Sequence, residues 1–143
     1  MRRHITRWWV VGLVVLAGIQ AAHGQLFEAD SKRYGNSKMD IVIREIERRQ
    51  QSSVIDIEMT SVGSSVGSSF FLLCSIRRLA QIRGDYRYIV KLEDRPKRGQ
   101  MLIGFLHDSG EKLSNVGPEF AEVDAHATVL DLDQFAELCA LTK

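Results

Sequence analysis

Gly63-Ser64-Ser65-Val66-Gly67 fits the G-x-S-x-G pattern of an activated serine. That chemistry needs a strand, a sharp turn and a helix whose first amides stabilise an oxyanion. An acid and then a histidine must follow later in the chain. Ser65 stands between a strand-like and a helix-like run, and Asp108 or Asp124 precedes His126 in the required order. Ser65, Asp124 and His126 are thus the candidate catalytic residues of a small serine hydrolase. Three features weigh against them. Without its expected leader the chain is about half the length such a sheet and its loops usually need, since single domains of that type run to about 200 residues or more. The helical pattern begins only after Gly67, which sets Ser65 outside the turn. A short motif in a Ser/Gly-rich stretch also arises readily by chance.

The same stretch has a second reading. Free amides and hydroxyls at a helix start attract phosphate or sulfate, which makes Ser64, Ser65, Gly67, Ser68 and Ser69 a candidate anion site. Ser68 occupies the position where a P-loop carries lysine, so nucleotide hydrolysis is disfavoured. A third reading needs no ligand. A helix start has unpaired N–H groups, serine caps them well, and glycine lets the backbone turn tightly. This explains every residue type in the stretch and is the favoured reading.

The remaining chemistry is sparse. Past the first 24 residues only His107 and His126 remain, without C-x-x-C or H-x-x-x-H spacing, so no metal site is expected. No cofactor loop is recognisable. Cys74 and Cys139 form an even pair, read as one disulfide in an oxidising compartment, with two buried thiols as the alternative.

The compartment follows from the first residues. Arg2, Arg3 and Arg7 precede an uncharged apolar run from Trp8 to Ile19, and Ala22-His23-Gly24 then offers small residues for cleavage. That is the pattern of a secretory signal peptide over residues 1–24. The run is short of the roughly 20 residues a bilayer span needs, although an uncleaved anchor is the competing reading. No cysteine follows to accept a lipid, so no stable membrane anchor is expected after cleavage. The expected location is the periplasm or the exterior. The whole chain has 19 Lys+Arg against 18 Asp+Glu; without the three leader arginines the ratio is 16 to 18, near −2. No global basic field favours nucleic acid. About 119 of the 143 residues remain, enough for one domain.

The elements that must position these residues read as follows. Residues 25–36 are polar and aperiodic, which suggests a flexible arm; residues 37–143 form the single domain. Ser37 precedes Asp40 by three residues, and Met39, Val42, Ile43 and Ile46 follow at helical spacing. A helix to about Gln50 is predicted, with a strand over 40–45 as its competitor. Val54–Met59 alternates and reads as a half-buried strand. A second helix is predicted from Ser68 to about Arg83, apolar all round in its first turns and stopped by Gly84. Tyr86, Tyr88, Val90 and Leu92 mark one face of a further strand. Met101–Leu106 is apolar on both faces, as an inner strand is, and should form a hairpin with it. A strand near residues 127–130 and a last short helix with Phe135, Leu138 and Cys139 inward complete the reading. The sum is a small α/β (or α+β) sandwich, with a three- or four-stranded mixed sheet and helices packed on it.

The Gly63-Ser64-Ser65-Val66 loop followed by "SSFFLLCSIRRLAQIRGDYRYIVKLED" resembles a group of small exported bacterial envelope proteins. The shared unit is a helix closed by Arg-Gly-Tyr and continued as a strand: here Phe71, Leu72, Leu73, Ala80, Arg83, Gly84, Tyr86, Tyr88, Ile89 and Val90. Many of that group are lipoproteins, and this chain lacks their anchoring cysteine. The resemblance implies an envelope location, an α/β core and no catalytic residue. The expectation is therefore an exported, non-enzymatic protein acting through a protein or cell-envelope partner. The alternatives are a serine hydrolase at Ser65 and His126, or an anion or small-ligand binder at Ser64–Ser69.

Overall fold

The computed structural model describes residues 25–35, 37–123 and 129–141. The expected leader, Asp124 and His126 lie outside them. Within them the chain forms one six-stranded sheet. Its strands are β1 (Glu28–Asp30), β2 (Asp40–Arg48), β3 (Ser52–Ser61), β4 (Tyr88–Glu93), β5 (Gln100–Leu106) and β6 (Leu130–Asp131). The spatial order is β1-β2-β3-β5-β4-β6, and every neighbouring pair is antiparallel. The helices are α1 (Ser65–Gly84) and the short α2 (Pro118–Ala121) and α3 (Ala136–Ala140). The fold is α+β. The sheet has two more strands than the largest expected number and is antiparallel rather than mixed.

The predicted helix over residues 37–50 is in fact strand β2, paired with β3 along its whole length. Ile41, Ile43 and Glu45 alternate inward and all are buried. The run Ile41-Val42-Ile43 is β-branched, which suits a pleated surface better than a helix. A buried glutamate in the third inward position disguised the alternation. The supposed arm also departs from expectation. Glu28–Asp30 pairs with β2, and Phe27 and Ala29 enter the core.

β3, α1 and β4 follow one another as a strand–helix–strand unit. β3 and β4 run in the same direction, but β5 lies between them and is antiparallel to both. The predicted hairpin is β4–β5, and β5 is the inner strand, with Met101 through Leu106 all buried. Its two faces serve two clusters. Met101, Ile103 and Phe105 face α1 together with Ile41, Ile43, Ile55 and Ile89. Leu102 and Leu106 face the segment around α2, where Val116 and Phe120 cover Val54 and Val90. Gly104 lies on that second face. A Cβ there would come 2.7 Å from Val116 and 2.9 Å from Val90, so the close approach of the α2 segment requires glycine.

Candidate functional site

The Ser/Gly stretch forms the start of α1. The helix begins at Ser65, three residues before the predicted Ser68. Ser64 is the N-cap, and its hydroxyl accepts a hydrogen bond from the Gly67 amide at 3.0 Å. The Ser68 amide donates to the Ser64 carbonyl at 3.0 Å. The Ser68 and Ser69 hydroxyls both donate to the Ser65 carbonyl, at 3.0 and 2.8 Å. Three of the four hydroxyls of the candidate anion site are thereby engaged with backbone. Ser65 is the first residue of a regular helix and is exposed. The residues with positive φ in this part of the chain are glycines, so Ser65 does not occupy a strained turn of the nucleophile-elbow kind. Asp108, the other candidate acid, is exposed and accepts from the Gly110 amide at 2.7 Å. His107 stacks on Tyr86, ring centroids 4.2 Å apart.

α1 is held in place at its other end. Arg83, nearly buried, donates through one Nη2 to the carbonyls of Arg49, Gln50 and Ser52 in the β2–β3 turn. Its guanidinium lies over the Phe105 ring at 5.4 Å and 3.8 Å from the Glu45 carboxylate. Glu45 is fully buried. It accepts from the Ser53 hydroxyl at 2.6 Å, from Arg48 at 3.0 and 2.5 Å, and from the Phe27 amide at 3.2 Å. Burial pushes the Glu45 carboxyl up, but these hydrogen bonds outweigh it and hold the group below its ordinary value. Burial also pulls the Arg83 guanidinium down, opposed by Glu45. The Arg83-Gly84-Asp85 tripeptide is thus an internal latch, with its arginine turned into the protein. Asp85, φ 51°, is the left-handed cap of α1, one residue after the predicted glycine stop.

Between its two ends α1 presents a second apolar face. Phe70, Phe71 and Cys74 follow at helical spacing and line a groove of about 1080 Å³, with Phe71 also packed against the core. Tyr34 and Met39 form one wall of the groove. Tyr34 belongs to a 3-10 turn over Ser31–Tyr34, capped by Asp30 and closed by Gly35 at φ 76°. The buried Ser31 hydroxyl ties this turn to β2, donating to the Met39 carbonyl at 3.1 Å and accepting from the Ile41 amide at 2.9 Å. The Tyr34 ring meets Phe71 edge-on at 5.9 Å, and Arg78 lies over it at 5.8 Å.

The other wall comes from the C-terminal segment, through Leu138 and Leu141. Two anchors hold it. The Asp131 carboxylate pairs with Arg87 at 2.8 Å, next to a hydrogen bond from the Leu132 amide to the Arg87 carbonyl. Farther on, Cys139 is disulfide-bonded to Cys74 of α1, as the pair of cysteines suggested. No residue of α3 is itself buried, so the disulfide is its main tie to the body. Arg77 and Arg78 line the groove toward the C-terminal end of α1, and neither forms an ion pair among the described residues. The described residues hold no cluster of metal-ligating side chains.

Sequence reasoning placed the disulfide and the serine caps but not this groove. The available signal was the apolar character of α1 on all sides around Phe70 to Leu73. That character suggests burial on several sides, whereas those residues are only half-buried. The chain matches no protein-family model, no curated protein and no solved structure.

Proposed function

We propose that this is an exported, non-enzymatic binding protein that holds an apolar part of a cell-envelope partner in the groove beside α1. The observation that carries the reading is the groove itself. Phe70, Phe71 and Leu138 surround a volume at the upper end of the roughly 300–1,000 Å³ typical of ligand sites. Leu138 and Leu141 are 43% and 82% exposed, which is unfavourable for a free surface and favourable for one that closes on a partner. The signal-like start supports export. A formed disulfide, and the absence of a described helix able to cross a membrane, are compatible with it. The Ser64, Ser68 and Ser69 hydroxyls, bonded to backbone, favour a capping role for the stretch, and the place of Ser65 as the first residue of a regular helix speaks against a nucleophile elbow.

The test is photocrosslinking in the source cell, with benzoylphenylalanine at Leu138 or, as a control, at Lys112. Adducts confined to the Leu138 position, in the exported fraction, are expected. Equal crosslinking from both positions, or a protein retained in the cytoplasm, would refute the reading. A fluorophosphonate probe should leave the protein unlabelled; labelling lost in Ser65→Ala would establish the hydrolase instead.

A further inference from the structure

Taking the groove as the binding site, we propose that its occupant is the anion of a long-chain fatty acid, with its carboxylate on Arg77 and Arg78 and its tail on Phe70, Phe71 and Leu138. The polarity of the groove is graded along α1. Gly67, Phe70 and Phe71 line its N-terminal part, and Arg77 and Arg78 line its C-terminal part. The eleven residue steps from Gly67 to Arg78 span about 16 Å at about 1.5 Å each, which suits an extended acyl chain lying along the helix. A single amphiphile also fits the size of the cavity better than a folded partner, which needs a far broader and flatter surface.

These two arginines are set apart by unpaired guanidinium groups that also line the groove; Arg95 and Arg98 have no ion pair among the described residues either, but they do not line it. Arg44, Arg48, Arg49, Arg83 and Arg87 each have a carboxylate within ion-pair distance. Arg77 and Arg78 have none among the described residues, although both border an apolar cavity. Arg78 instead rests over the Phe27 and Tyr34 rings, at 6.0 and 5.8 Å, which orients its planar fork beside the groove. A guanidinium so placed meets a carboxylate through paired hydrogen bonds, and the apolar surroundings strengthen them. Arg77 also borders a smaller cavity that includes Asp85 and Asp133, of which Asp133 is paired with Arg87 at 3.4 Å. An acyl alcohol would leave both arginines without an anionic partner, and an acyl ammonium would be repelled.

The experiment uses the disulfide-bonded protein from Gln25 onward. Both tryptophans, Trp8 and Trp9, precede that residue, so intrinsic fluorescence does not obscure a polyene probe. Cis-parinaric acid is bound and displaced in turn by palmitate, hexadecanol and hexadecyltrimethylammonium. Palmitate is expected to displace it saturably, and hexadecanol about ten-fold or more weakly, as the loss of charge-assisted hydrogen bonds implies. The double variant Arg77→Gln/Arg78→Gln, checked for an unchanged melting temperature, should bring palmitate down to the level of hexadecanol. The ratio of palmitate to hexadecanol in the unaltered protein decides the matter if that variant fails to fold. Hexadecanol equal to palmitate, or a double variant equal to the unaltered protein, would overturn the proposal. So would a dimer occupying the groove that palmitate does not dissociate. If parinarate does not bind while the Leu138 crosslinks persist, the fatty acid is rejected and the groove stands. If neither occurs, both readings fail.

Discussion

Glu45 shows how one side chain can govern the fold and yet disguise it in the sequence. Its carboxylate accepts from Arg48, Ser53 and the Phe27 amide while fully buried, and Arg83 stands beside it. Removing one partner of such a cluster leaves the others buried without compensation. Glu45→Ala should therefore destabilise the protein by about 3 kcal/mol or more, measured by urea denaturation at neutral pH. A cost near zero would mean that the cluster contributes nothing net. The pH dependence follows from the same residue. Burial raises its pKa, but the hydrogen bonds together outweigh burial, so the folded value lies below the unfolded one. The stabilisation is complete above the unfolded value and is lost as the pH falls through the folded value. Glu111 shifts in the same direction: burial raises its pKa, but hydrogen bonds from the His107 and Asp108 amides and Gln51 together outweigh burial. Stability should fall as the pH drops below the ordinary carboxylate range, and should fall less steeply in Glu45→Gln. An equal slope in both proteins would show that Glu45 does not set the pH dependence.

At the scale of elements, legibility tracked the clarity of the period. β5 was readable because Met101 to Leu106 is apolar without interruption, and an inner antiparallel strand covered on both faces needs just that. β2 was not, because Met39, Val42, Ile43 and Ile46 mimic a helical stripe while Ile46 is in fact 45% exposed. β1 is three residues long and is paired only through a long-range contact, which no local pattern records. The groove was illegible for a similar reason: its walls come from residues 31–39, 67–81 and 136–141, which only the tertiary fold brings together. Two packing features can be tested here. Gly104→Ala places a methyl group against Val116, Val90 and Phe120 and should cost about 1–3 kcal/mol by overpacking. A neutral result would show that the α2 segment can retreat. The Cys74–Cys139 bond closes a loop with a sequence separation of 65, for which chain entropy predicts stabilisation of about 4 kcal/mol at most. Reduction should lower the melting temperature, and an unchanged value would argue against a structural bond.

At the scale of the molecule, one face of α1 builds the core, and the flank beside it, from Phe70 to Arg78, lines the groove. The latch at Arg83 and the serine cap at Ser64 fix the two ends of the helix, and the disulfide holds the C-terminal segment against its middle. Hydrogen bonds, an ion pair and a disulfide thus hold the elements around the groove of the proposed binding site. Hydrogen–deuterium exchange of the protein from Gln25 onward, with and without a detergent extract of the cell envelope, tests this most directly. Slower exchange confined to the groove walls, around Tyr34 and Met39 and over residues 67–81 and 136–141, is the predicted result. Protection centred instead on the loops at 63–66 or 94–99, with the α1 face unchanged, would contradict it.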